Sequence, residues 1–158
     1  TLSHNLEGKD LAEMFDMKQA GAVAFSDNKK AIKSSGLMSR ALLYAKNFDG
    51  LVISFANDES LSHGGQMHEG EVSTTLGLES IPTLSEELQI SRDLFLTSYN
   101  ESKIHFSTIS TANSVAMIKE AKNEGINVTC IPFLCLLFLM SRKVMLHQNQ
   151  KRKKMLDP

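Results

Sequence analysis

The chain has 158 residues, long enough for one domain with a hydrophobic core. Hydrophobic residues make up 42% and charged residues 22%, as in ordinary globular proteins, which argues against disorder along the whole length. A net charge of -1 gives no electrostatic basis for binding nucleic acid or an anionic membrane. The two cysteines, Cys130 and Cys135, lack the spacing of a zinc site and favour a reducing, cytoplasmic setting.

No segment has the pattern of a signal peptide or of a membrane-spanning helix. Residues 1–10 are polar and lack an apolar stretch. The longest apolar run, residues 131–140, contains Pro132 and is half the length of about 20 residues that a spanning helix needs. We therefore expect a soluble protein. The chain starts at Thr1, in a stretch typical of the middle of a domain, and we expect it to be a fragment.

Helical and strand patterns alternate along the first part of the chain. Residues 10–20 carry apolar side chains at helical spacing, and residues 22–26 form a short apolar run typical of a buried parallel strand. A second helix is predicted from an N-cap at Ser34 or Ser35 to about Asn47, and a second strand at residues 51–55. Residues 56–82 are rich in glycine, serine and histidine and predict a long loop, of a length that is usually functional or disordered.

The alternation continues after this loop. We predict a third helix over residues 83–99, a third strand over 103–108, a fourth helix over 111–123 and a fourth strand over 127–130. Strands separated by helices indicate a parallel α/β sheet, either doubly wound or closed into a barrel. In both folds the site lies at the carboxyl ends of the strands. Those ends are marked here by Ser26, Asp27, Phe55 and Thr108.

Several gapless blocks carry a more specific pattern. They are DMKQAGAVAFSD (residues 16–27), GLMSRAL (36–42), EGEVSTTLGL (69–78), IP (81–82), EE (86–87), ISTANSV (109–115) and VT (128–129). Over residues 6–130 these blocks resemble, in the same order, the dihydroorotases. These enzymes are amidohydrolases that interconvert dihydroorotate and carbamoyl aspartate in pyrimidine biosynthesis.

The resemblance implies an incomplete (β/α)8 TIM barrel that holds about four middle βα units, roughly the fourth to the seventh. It also implies zinc as the metal of the family and places Asp27 on a metal-associated aspartate. A carboxylate at the end of a strand suits zinc. The residues alone leave a second interpretation open, in which Asp27 simply begins the turn Asp27-Asn28-Lys29.

Two positions depart from the family's pattern. Phe55 and Thr108 stand where the family has ligand histidines; a phenyl ring cannot bind zinc, and a neutral hydroxyl is a poor substitute for imidazole. A zinc site needs about three protein ligands, and Asp27 is the one candidate. We therefore predict that this chain binds no zinc and has no catalytic residue of its own.

Strand alternation adds a prediction for the nearest histidine. It places Ile104, Phe106 and Thr108 on one face of their strand and His105 on the other. We therefore expect His105 to be a structural or helix-facing residue rather than a replacement ligand. His63 and His68 are interpreted as members of a solvated loop, made mobile by the glycines between them.

The resemblance stops near residue 130. Apolar residues 131–140 pass directly into a tail that contains six basic residues, and this change indicates a shifted reading frame or a truncated gene. We divide the chain into a partial amidohydrolase barrel, residues 1–130, and an atypical tail, residues 131–158. Because no aromatic residues alternate with the basic ones, a solvated tail is favoured over a nucleic-acid or membrane patch.

These features predict a dihydroorotase-like protein of pyrimidine biosynthesis that is catalytically defective in this chain. Two alternatives stay open: a fragment of an active zinc dihydroorotase, and a non-catalytic α/β binding or scaffold domain. A half-barrel exposes strand edges and apolar helix faces. We therefore expect self-association, or pairing with a pyrimidine-pathway enzyme such as aspartate carbamoyltransferase.

Overall fold

A computed structural model describes residues 1–132. In chain order, after a short 3-10 helix at His4–Leu6, its elements are α1 (Met14–Gln19), β1 (Ala24–Phe25), α2 (Ser35–Lys46), β2 (Leu51–Phe55), α3 (Glu59–Ser62), β3 (Met67–His68), α4 (Glu71–Leu76), β4 (Ser80–Ile81), α5 (Leu84–Tyr99), β5 (Lys103–Ile109), α6 (Ala112–Asn123) and β6 (Asn127–Pro132). The predicted tail, residues 131–158, lies outside this range except for Ile131 and Pro132, which end β6. Within it, no helix is both long and apolar enough to cross a bilayer.

The main sheet is parallel, with the strand order β1-β2-β5-β6. Each neighbouring pair is in parallel register, for example Val52 opposite Ile104 and Ile104 opposite Val128. The helices α2, α5 and α6 each lie between two consecutive strands of this sheet. The predicted parallel α/β architecture is therefore confirmed.

Two of the crossover helices begin at side-chain caps. The hydroxyl of Ser34 accepts the N–H of Leu37 at 3.2 Å, and the hydroxyl of Thr111 accepts the N–H of Ser114 at 3.0 Å. Such caps supply acceptors for N–H groups that have no partner within the helix. Because capping and apolar spacing agree here, the boundaries predicted for α2 and α6 lie within one or two residues of the observed ones.

The first helix is shorter than predicted. It begins at Met14 rather than Asp10, because the preceding residues pair with the start of the chain. Ser3 and Leu11 form an antiparallel bridge, and the N–H of Ala12 donates to the carbonyl of Leu2 at 3.0 Å. These contacts hold residues 11 and 12 out of the helix.

The prediction of one long loop over residues 56–82 is wrong, because this segment contains α3, β3, α4 and β4. Asp58 caps α3 by accepting the N–H of Ser60, and Gly77 ends α4 at a φ of 64°. Gly65 allows close packing rather than mobility: a Cβ there would lie 2.5 Å from the side chain of Ile81. These elements are too short to produce a readable hydrophobic period.

The helices cover one face of the main sheet. The strand residues Val52, Ile104 and Phe106 are buried there, in one core with α2, α5 and α6. Ser54 points the same way, and its hydroxyl donates to the carboxylate of Asp93 on α5 at 2.7 Å. Alternate residues lie on the second face of the sheet, which we define by Ile53, Phe55, His105 and Thr129.

Alternation fails at the end of β5. The register with β6 shifts between Phe106 and Ile109, and Thr108 has a φ of 58°. Ile109 is buried whereas Thr108 is exposed, so the prediction that Thr108 shares a face with Ile104 and Phe106 is wrong. The irregularity is that of a β-bulge, in which one extra residue reverses the alternation. Since Ile104 faces the helices, His105 lies on the second face, and its predicted helix-facing position is wrong too.

Candidate functional site

The carboxyl ends of β1, β2 and β5 meet at one edge of the sheet. Phe55 ends β2 and lies opposite Ser107 of β5, while Asp27 follows β1, the other neighbour of β2. Thr108 comes directly after Ser107. Asp27, Phe55 and Thr108 therefore lie at the edge where parallel α/β folds place their sites.

A cleft of about 660 Å³ opens at this edge. The segment after β1 and the segment after β2 form its two walls, and an ion pair of 2.6 Å between Lys33 and Glu59 joins them. The hydrogen bond to Glu59 raises the pKa of Lys33 above its usual range. Gln89 and Arg92 of α5 also line the cleft.

The carboxylate of Asp27 is 3% exposed and bonds to the start of the chain. One oxygen accepts the N–H groups of Leu2 and Ser3 at 2.9 and 2.8 Å, and the other accepts the hydroxyl of Ser3. These partners lie 24 and 25 residues away in sequence, so no local pattern identifies them. The structure thus gives Asp27 a fixed role in holding residues 2 and 3 against the end of β1.

The turn after β1 exists, but the Asp27 side chain does not form it. The backbone carbonyl of Asp27 accepts the N–H of Lys30 at 3.2 Å. The side-chain bond within the turn comes from Ser26, whose hydroxyl accepts the N–H of Asn28 at 2.9 Å. The turn interpretation is therefore confirmed for the backbone, while the carboxylate is used elsewhere.

The side chains at this edge do not fit a zinc ion. Phe55 offers no lone pair, and the Thr108 hydroxyl is exposed and donates to the carbonyl of Ser107 at 2.7 Å. Asp27 already accepts three hydrogen bonds on its roughly four lone-pair positions. Among residues 1–132, no three His, Cys, Asp or Glu side chains lie close enough together to hold a metal. A metal-ligand role for Asp27 remains a prediction.

His105 makes a hydrogen bond across the second face of the sheet. Its Nδ1 lies 2.7 Å from the hydroxyl of Thr129 on β6. Burial lowers the pKa of His105, which favours the neutral imidazole. The contact joins β5 to β6 and assigns His105 a structural role on this face.

The sequence blocks include Glu86 but do not indicate what it does. The Glu86 side chain is largely buried, with 8% of the residue exposed. Its two carboxylate oxygens share the N–H of Ser110 at 2.9 and 3.0 Å, and one of them also accepts the N–H of Thr111 at 3.1 Å. The carboxylate also accepts the Ser110 hydroxyl. It thereby fixes the segment that follows Thr108 onto the first turn of α5. The position of Thr108 is therefore set by a carboxylate more than twenty residues earlier in the chain.

A family model described as Dihydro-orotase-like matches residues 3–114, which is most of the chain. The chain belongs to the dihydroorotase-like family. It is 48% identical over 128 residues to a dihydroorotase of Syntrophus aciditrophicus, and 49% identical over 128 residues to one of Pelotomaculum thermopropionicum. Each match covers 81% of this chain and 30% of the relative. The chain thus spans about 30% of the length of these curated dihydroorotases.

Solved structures support the same fold. The L-hydantoinase (dihydropyrimidinase) from Arthrobacter aurescens superposes with a TM-score of 0.62 at 20% identity, covering 82% of this chain and 30% of that one. A D-hydantoinase from a Bacillus sp. superposes with a TM-score of 0.56 at 20% identity, covering 72% of this chain and 27% of that one. The predicted incomplete (β/α)8 barrel is confirmed. In such a barrel the helices lie outside, so the second face of the sheet, with Phe55 and His105, is the barrel interior.

The dihydroorotase-like family is metal-dependent, with zinc as its usual metal. The assignment of ligand histidines to the family positions of Phe55 and Thr108 remains a prediction.

Proposed function

We propose that this dihydroorotase-like chain has lost zinc-dependent cyclic-amide hydrolysis and serves pyrimidine metabolism in a non-catalytic role. The observation that carries the proposal is the chemistry at the strand ends. A phenyl ring at Phe55 and a neutral hydroxyl at Thr108 occupy the two positions where the family's pattern has ligand histidines. Catalytic zinc uses about three protein ligands and activates a water in the remaining position, so two lost ligands remove the site.

Neighbouring side chains do not compensate for these losses. Ser54 faces the helices and bonds to Asp93, and His105 is engaged with Thr129 on β6. Losing one residue that merely supports a ligand already lowers metal affinity about 10- to 100-fold. Here the ligands themselves are replaced, which supports a larger loss.

The competing function is that of an active zinc dihydroorotase of which this chain is one part. Asp27 favours it, because a buried carboxylate follows β1 where the family has a metal-associated aspartate. The three hydrogen bonds that Asp27 accepts within the chain weigh against it.

A chimera separates the two functions. The 128 residues of this chain that align with the Syntrophus aciditrophicus dihydroorotase replace their counterparts in that enzyme, which supplies the rest of the barrel. We expect this chimera to fold but to show neither stoichiometric zinc nor dihydroorotate hydrolysis. Phe55→His together with Thr108→His should restore both. A matched control, Leu43→His with Val115→His, adds two histidines at exposed helix positions and should restore neither.

Two results would contradict the proposal. Hydrolysis by the chimera that keeps Phe55 and Thr108 would show that an active enzyme is represented here. A folded double-histidine chimera without zinc would show that the loss lies elsewhere in the chain. For the non-catalytic role, family analogy nominates aspartate carbamoyltransferase as the partner, to be tested by co-elution of the two purified proteins.

A further inference from the structure

The outer face of α5 differs from the rest of the helical layer because it carries no charge. Its exposed residues are Leu84, Leu88, Ser91, Phe95, Ser98 and Tyr99. The four large side chains are 48%, 47%, 76% and 79% exposed, in chain order. An apolar group of this size on an outer face is typical of an interaction surface.

The neighbouring helices provide an internal comparison. On α2 the exposed residues include Arg40 and Lys46, and on α6 they include Lys119 and Glu120. Each of these helices exposes a single large apolar residue, Leu43 on α2 and Val115 on α6. The uncharged apolar surface is therefore a property of α5 and not of the outer layer in general.

The charged residues of α5 are directed away from this surface. The Arg92 guanidinium bonds to the carboxylate of Asp93 at 2.6 Å and to the carbonyl of Ile32 at 2.8 Å. Glu87 accepts a hydrogen bond from the Asn113 side chain on α6 at 2.9 Å. A partner on the outer face would therefore meet no free charge from these two residues.

The spacing of the four large residues is symmetric. Leu84 and Leu88 are four residues apart, seven residues separate Leu88 from Phe95, and four separate Phe95 from Tyr99. At about 100° per residue, the four side chains lie within roughly 60° of one another around the helix. The order four, seven, four reads the same in both directions, so in an antiparallel pair about a two-fold axis each leucine of one copy would meet an aromatic residue of the other.

We propose that this surface, the α5 face (Leu84, Leu88, Phe95 and Tyr99), binds the α5 face of a second copy of the chain in an antiparallel pair. A two-fold axis near Ser91 places Leu84 against Tyr99 of the other copy and Leu88 against Phe95 of the other copy. The small side chain of Ser91 at the centre lets the two helices approach closely. The proposal does not depend on the loss of catalysis.

The available area predicts the strength of the pair. An aromatic side chain buries about 150–250 Å², so Phe95 and Tyr99 at three-quarters exposure offer about 300 Å² per copy before the leucines are counted. A standard interface buries about 800 Å² per partner. We therefore expect a weak dimer, with a Kd of about micromolar or weaker.

Sedimentation velocity of the full chain, from about 1 to about 200 μM, tests the proposal. We expect a concentration-dependent monomer–dimer equilibrium. Phe95→Glu should raise the Kd by at least about tenfold, because each copy would bury an unpaired carboxylate against Leu88. Val115→Glu places the same charge on the outer face of α6 and should leave the Kd unchanged. Far-UV circular dichroism establishes that both variants are folded.

A charge pair tests the antiparallel register. Combining Leu88→Lys with Phe95→Glu brings opposite charges together twice across the proposed axis, and should recover most of the association that Phe95→Glu removes. A chain that stays monomeric at about 200 μM would overturn the proposal. So would an association that Phe95→Glu leaves intact, or a double variant that pairs no better than Phe95→Glu alone.

Discussion

Replacing Asp27 by alanine should destabilise the fold, because its carboxylate is the acceptor for the buried N–H groups of Leu2 and Ser3. An unsatisfied buried donor costs about 1–3 kcal/mol, so two of them predict a loss of about 2–6 kcal/mol. That is a large share of the roughly 5–15 kcal/mol that stabilises a typical domain.

Asparagine at the same position separates a structural carboxylate from a metal ligand. Its amide oxygen can still accept both N–H groups and its amide nitrogen can donate to the Ser3 hydroxyl, so Asp27→Asn should cost only about 1 kcal/mol. Asp10→Ala, at an exposed aspartate nearby, should change stability by less than about 0.5 kcal/mol.

Urea unfolding followed by circular dichroism, with and without a chelator, measures these differences. We expect the chelator to leave every transition unchanged. Two results would refute the reasoning: Asp27→Asn as damaging as Asp27→Ala, or a chelator that lowers the stability of the unmodified chain as much as Asp27→Ala does.

Three further predictions concern the same edge and its supports. Because burial lowers the pKa of His105, the unfolded chain binds a proton near pH 6.5 that the folded chain does not. The free energy of unfolding should therefore fall as the pH drops below about 6.5. His105→Gln should flatten this dependence in urea midpoints measured between about pH 7.5 and 5.5. Glu86→Ala should lower the free energy of unfolding in urea by about 1–3 kcal/mol, because the N–H groups of Ser110 and Thr111 lose their acceptor. An equal loss of stability in the control Glu87→Ala would contradict this role of Glu86. Gly65→Ala should speed hydrogen exchange in β3 and β4 through its clash with Ile81, while Gly70→Ala, which meets nothing within 4 Å, should not.

The long periodic elements could be predicted from the sequence. In α2, α5 and α6 the apolar spacing and the end signals agree, and the strands β2 and β5 lie between these helices. Their alternation was enough to predict a parallel sheet and to place Asp27, Phe55 and Thr108 at one edge. The resemblance to dihydroorotases then identified the barrel, which periodicity alone left open.

The remaining features depend on contacts that no local pattern contains. The late start of α1 follows from the bridge between Ser3 and Leu11, and the carboxylate of Asp27 is satisfied by residues about 25 positions away. The face assigned to Thr108 was wrong because alternation assumes a regular strand, and an inserted residue reverses it. The elements within residues 56–82 have between two and six residues each. Such short elements show no hydrophobic period, so the sequence predicts a loop there.

We propose that the side chains of Phe55 and Thr108 remove zinc binding from this edge of the sheet. Isothermal titration of zinc into the purified full chain tests it most directly, with the Phe55→His, Thr108→His double variant titrated in parallel. We expect no stoichiometric binding at micromolar zinc by the unmodified chain and tighter binding by the double variant. One tightly bound zinc ion per unmodified chain, lost in Asp27→Ala and unaffected by the two histidines, would contradict the claim.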